Sequence, residues 1–170
     1  MAKRRLTLSE LMKAGLLLAL VVPLAVVLVP GILIGIPAHR AYGRWLKARW
    51  ERTWGRRGKR ILLVYSRSPN WQSYIETTWL PQVAPHAVVL DWSDRGEWPK
   101  RAPVEVLAFR YWGGTKEFNP LALLFPRRGR VRTLRFWQAF RDLKHGNELA
   151  LRTAEVELFE FIQSIRSEAA

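Results

Sequence analysis

The sequence predicts an α/β protein on a membrane tether. Its parts are one N-terminal transmembrane (or re-entrant) helix, a basic amphipathic interfacial helix, and a small three-layer α/β domain closed by a C-terminal amphipathic helix. Three observations carry this. Residues 14–38 are 25 consecutive residues without a charge, enough to cross a hydrocarbon core of about 30 Å. Residues 39–60 then hold nine Lys/Arg, three Trp and a single Glu. Beyond them, short apolar runs of β-formers alternate with stretches of helical spacing. The organisation read from this is a basic N-terminal tail (1–13), a transmembrane helix (14–38), a basic Trp-rich juxtamembrane helix (39–58) and an α/β domain (59–170).

The apolar run AGLLLALVVPLAVVLVPGILIGIPA exceeds the roughly 7–15 residues of a signal-peptide core, and a basic block follows it, so it reads as a retained anchor. Pro23 and Pro30 kink a single span; alternatively, Pro30-Gly31 is the turn of a re-entrant hairpin. The heavier basic flank lies after the run, and the positive-inside rule then makes the C-terminal domain cytoplasmic. Lys3, Arg4, Arg5 and Lys13 before the run weaken the contrast, and the hairpin alternative leaves both ends cytoplasmic.

A formal charge of +14 points at first to nucleic acid. Its distribution points elsewhere: residues 1–60 hold 13 Lys/Arg against 2 Asp/Glu, whereas residues 61–170 hold 15 against 12. Nucleic acid is therefore not the expected partner. In HRAYGRWLKARWERTWGRRGKR, Tyr42, Leu46, Trp50 and Trp54 recur every four residues and make one helical stripe, with Trp45 beside it. Arg40, Arg44, Lys47, Arg49, Arg52, Arg56 and Arg57 take the flanks. Such a helix is expected to lie in the headgroup layer, indoles at the lipid boundary and cations on anionic headgroups. Gly55 and Gly58 end it.

KRILLVYS (59–66) reads as a strand buried on both faces. A helix follows through WQSYIETTWLPQV, capped by Ser68-Pro69 or Asn70, and HAVVLDWS (86–93) is a second strand, parallel to the first. After a polar loop, VEVLAFRYW, NPLALLF and RVRTLRFW read as strands, the last two joined through PRRGR as a hairpin. LRFWQAFRDLKHG offers a short helix. Asn147 then caps a final helix whose apolar face is Leu151, Ala154, Leu158, Phe161, Ile162 and Ile165, with Glu155, Glu157 and Glu160 directed away from it.

The order β-α-β, then a strand pair opening at Asn119-Pro120, then a closing helix, is similar to thioredoxin-like domains, in which a Pro precedes the third strand and a helix ends the fold. The similarity spans residues 60–165. It implies that Ser66 and Ser68 of SRSPNW stand where that family carries reactive cysteines, so redox chemistry is not expected. A Rossmann-like sheet fits equally well, because VEVLAFRYW reads as a strand where the thioredoxin-like order calls for a helix.

The chain has no Cys, which removes disulfides, thiolate metal sites and Cys nucleophiles. His39, His86 and His145 have no metal-ligand spacing; neither metal nor cofactor is expected. The loop Ser66, Arg67, Ser68, Pro69, Asn70 follows a strand and opens a helix, a place where phosphate can bind, although plain turn chemistry explains it as well. Asp91, Asp94 and Glu97 read as a surface ion-pair loop with Arg95, Lys100 and Arg101. Asp142 and His145 lie within reach on one helix, but no nucleophile accompanies them. Arg127, Arg128, Arg130, Arg132 and Arg135 cluster at the hairpin; they either pair with glutamates of the last helix or, with Trp137, dock a partner or headgroups. Nine Trp with many Arg resemble the composition of interface cores.

No catalytic motif is present. The expected function is a non-catalytic accessory, assembly or scaffold subunit of an integral-membrane complex. Its partners would be other integral-membrane subunits and anionic lipid headgroups. The alternative is a membrane-associated enzyme or binding protein for anionic lipid or phosphorylated substrates at Ser66–Asn70.

Overall fold

The computed structural model describes residues 8–99, 101–114 and 119–168. Two compact units divide at Gly43 and Arg44. The basic tail up to residue 7, and Lys100 in the polar loop, lie outside the described residues.

Helix α1 (Leu8–Thr53) belongs to the first unit as far as Gly43 and carries Pro23, Pro30 and Pro37 in its interior. It passes through Pro30-Gly31 without reversing, so the hairpin alternative is corrected to one continuous helix. From Val21 to Ile36 its exposed large side chains include Val26, Leu33 and Ile34, each about two-thirds open. The helix is long and apolar enough to cross a membrane.

The second unit, from Arg44 onward, is a mixed four-stranded sheet between helices. Its order is β2 (Ala87–Asp91), β1 (Ile61–Tyr65), β3 (Leu121–Leu124), β4 (Arg132–Arg135). β1 and β2 are parallel, Ile61 opposite Ala87 and Tyr65 opposite Asp91. β3 runs antiparallel to both its neighbours, Val64 facing Leu121 and Leu121 facing Arg135. The Asn119-Pro120 peptide before β3 is cis. Every residue of β1 and β3 is buried, as continuous apolar runs require when both sheet faces are covered.

Alternation divides the strands between two cores. Ile61, Leu63, Ala122 and Leu124 point to one face. There they meet α2 (Gln72–Tyr74), the π turn Ile75–Trp79 and α3 (Leu80–Val83), together with α5 (Trp137–Lys144) and α6 (Leu149–Ser167). The π turn, with Leu80 N–H bonded to Ile75 O, lies just before Pro81, which has no N–H to continue the regular ladder. Leu62, Val64, Leu121 and Leu123 point to the other face, against the end of α1 and α4 (Val104–Trp112).

Two expectations are corrected. VEVLAFRYW is the helix α4, not a strand: Val104, Ala108 and Phe109 at i, i+4 and i+5 supply its buried face. Ser68 does open the second helical stretch: its backbone carbonyl accepts from Gln72 N–H at 2.9 Å and its hydroxyl oxygen from Asn70 N–H at 3.4 Å. Glu155 is buried on α6 instead of facing away. Asn147 does serve the start of α6, its Oδ1 accepting from Leu149 N–H at 3.2 Å.

Candidate functional site

The last turns of α1 bear two faces. Leu46 and Trp50 are fully buried against the sheet, Trp50 stacking on Phe125. Trp54 is half-buried and donates its indole N–H to Glu105 of α4. Trp50 and Trp54 therefore belong to the α/β core and not to a headgroup layer. The stripe is a helix face, but Leu46 and Trp50 on it are covered by the sheet, whereas Tyr42 is exposed. Trp45, which lies off that stripe, remains exposed with Arg49 5.3 Å from its ring centre, while Arg57 lies 5.3 Å from that of Trp54. Arg40, Arg44, Arg52, Arg56 and Arg57 are exposed.

The opposite face of these turns walls an open groove of about 610 Å³. Arg44, Lys47, Ala48 and Glu51, at i, i+3, i+4 and i+7, form one side. Gly55 and Arg56 of the following 3-10 turn, Arg60 before β1, and Arg127 of the β3–β4 loop complete it. Two groups that stand far apart in the sequence, the juxtamembrane cations and the hairpin arginines, thus meet. Arg60 is buried and grips Glu51 with a guanidinium fork, Nη1 to Oε2 at 3.0 Å and Nη2 to Oε1 at 2.8 Å. Gly55 permits this, since a Cβ there would collide with the Glu51 carboxylate. The groove's one acid is consequently committed. Lys47 Nζ donates to Gly129 O at 2.8 Å. Burial lowers the Lys47 pKa from its ordinary value; Glu51 opposes this and the Arg60 charge adds to it.

Ser66 and Arg67 of the Ser66–Asn70 loop bond to residues outside it. Ser66 donates both its N–H and its hydroxyl to Asn119 Oδ1, at 3.1 and 2.8 Å. Arg67 Nε donates to Asp91 Oδ2 at 2.7 Å, and its Nη2 pairs with Asp94. These bonds raise the Arg67 pKa, those to Asp91 foremost. The two candidate clusters, phosphate loop and carboxylates, are thus one ion-pair network. The ion-pair reading of Asp91 and Asp94 stands, but their partner is Arg67. Arg95 instead lies 3.7 Å from the centre of the Trp92 ring.

At the hairpin, Arg132 pairs with Glu157 at 3.0 Å and Arg127 with Glu168 at 3.2 Å, while Arg135 donates to Gly113 O. Arg128 and Arg130 are exposed. Trp137 is half-buried beside a smaller cavity of about 240 Å³ that also includes Asn70, Trp71 and His145. Asp142 Oδ1 accepts from Gln138. Among the described residues no group of three His, Asp or Glu side chains could hold a metal ion.

Sequence reasoning missed Glu155, whose Oε1 accepts from Trp79 Nε1 and Tyr74 OH, both at 2.7 Å. Its position between Leu151 and Leu158, at i+4 and i−3, was the available signal. Desolvation, then the bond to Glu155, pushes the Tyr74 phenol up to about 12. Most of the nine Trp serve the two cores, and only Trp45 among them is exposed. No protein-family model, curated protein or solved structure matches the chain.

Proposed function

We propose that the chain is a membrane-anchored, non-catalytic accessory, assembly or scaffold subunit of a larger integral-membrane complex, with its α/β domain cytoplasmic. The observation that carries this reading is the apolar stretch of α1, whose membrane-length window has no protein cover. Gly31 and Gly35 stand four residues apart with open space where a Cβ would be, a spacing that lets a second membrane helix approach closely. The expected readout is stoichiometric recovery of partner subunits when the full chain is purified in mild detergent and analysed by mass spectrometry. A clean monomer would remove the proposal.

The domain resembles the thioredoxin-like fold. Its support is the order β2-β1-β3-β4 with β3 alone reversed, helices on both faces, Pro120 just before β3 and a closing helix. A Rossmann-like sheet is parallel and lacks that reversed central strand. The absence of Cys leaves such a domain without thiol chemistry, in keeping with a binding role.

A second reading, anionic headgroup binding, is favoured by the groove beside Arg44 and Arg56. The Ser66–Asn70 loop is the weaker place for it, because Arg67 is already neutralised by Asp91 and Asp94.

A further inference from the structure

We infer that the groove formed by Arg44, Lys47, Arg56 and Arg127 is a discrete binding site for a phosphate group, presented by an anionic lipid headgroup or as free phosphate. This deepens, and rests on, the headgroup-binding reading above.

The cations come from α1, the turn after it and the β3–β4 loop, and they line one concave space. Arg44 and Arg56 are exposed; Lys47 is held by a neutral carbonyl, Gly129 O. Arg127 has a half-exposed ion pair with Glu168, of the kind worth little in water. The single carboxylate, Glu51, is occupied by Arg60. The result is a pocket of converging positive charge whose own acid cannot neutralise it. Guanidinium forks suit phosphate oxygens, to which they donate paired N–H groups. Arg44 follows the last residue of the uncharged run by six positions in the sequence, which favours a headgroup over an acidic protein as the phosphate's bearer.

The test uses the full chain in a neutral detergent. Native mass spectrometry reads binding of phosphatidylglycerol, phosphatidylcholine, inorganic phosphate and a glutamate-rich peptide. The double variant Arg56→Gln/Arg127→Gln is expected to weaken phosphate binding roughly tenfold or more. Arg128→Gln/Arg130→Gln removes the same charge outside the groove and should change it less than about twofold. Arg56→Lys/Arg127→Lys should restore most of the loss, and matching circular dichroism shows that all variants fold. Groove-dependent binding of phosphatidylglycerol over phosphatidylcholine assigns the headgroup. Groove-dependent binding of inorganic phosphate without lipid preference assigns the free ion, and either result supports the site. Equal weakening by both glutamine pairs, or tighter binding of the peptide than of any phosphate probe, overturns it. Partner recovery in the pull-down is independent of these variants, so its failure and theirs are separable.

Discussion

Trp50 stacks on Phe125 with ring centroids 4.1 Å apart and planes 6° from parallel. The contact joins the end of α1 to the residue that follows β3, so the segment after the apolar run is built into the α/β core. Trp50→Ala removes a fully buried indole and should destabilise the domain by about 3–5 kcal/mol. Trp45→Ala, at an exposed neighbour, should stay within about 0.5 kcal/mol. Denaturant unfolding of the full chain in detergent, followed by Trp fluorescence, checks the pair. Equal losses would mean that Trp50 is not a core residue.

The Arg60–Glu51 fork predicts a coupled effect. Glu51→Ala leaves the buried guanidinium with Phe125 O but no carboxylate partner, an expected loss of about 1–3 kcal/mol given that Glu51 is partly exposed. Gly55→Ala should reproduce part of this by displacing the same carboxylate. In a double-mutant cycle the two losses should not add. Full additivity would show that Gly55 does not act through Glu51.

Tyr74 supplies a pH signature. Its folded-state pKa, about 12, lies above the value of roughly 10 for a free phenol. The neutral form is thus favoured by folding: the contribution is fully present below the unfolded pKa and is lost as pH rises through the folded one. Stability should fall between about pH 10 and 12 for this group. Burial also raises the Tyr65 phenol, so phenolate absorbance should show a late-titrating component that shrinks, without vanishing, in Tyr74→Phe.

Glu155 should be sensitive to charge-free truncation more than to amide replacement. Glu155→Leu deprives Trp79 Nε1 and Tyr74 OH of their acceptor and should lower stability by about 1–3 kcal/mol. Glu155→Gln keeps a carbonyl acceptor and should lose less. Thermal unfolding distinguishes them; the opposite ranking would contradict the hydrogen-bonded role.

Substituting Gly31→Ile fills the open face of α1. It should reduce co-purification of partner subunits while leaving the unfolding midpoint of the α/β domain unchanged. Undiminished recovery would place the partner contact elsewhere.

The elements with a local cause were readable in advance. The uncharged run is helical because its length and apolarity act residue by residue. β1, β2 and the hairpin follow from β-forming runs bounded by turn residues, and α6 from its apolar spacing. VEVLAFRYW was not readable, since a short run of apolar and aromatic residues satisfies helix and strand alike. Its packing of Val104, Ala108 and Phe109 against β1 and β3 decides the matter. The Leu46-Trp50-Trp54 stripe was visible, but its partner was not: lipid and a sheet face ask for the same apolar spacing. Likewise, Arg67 with Asp91 and Asp94, and Arg127 with the cations of α1, are separated along the chain and meet only because the strands bring them together. The sequence by itself determined where the charge lies and, VEVLAFRYW apart, which segments are helix or strand. The tertiary structure decided which apolar face is covered, which charges are already paired, and which remain gathered around one open groove. Periodicity names a face, and only long-range packing names what lies against it.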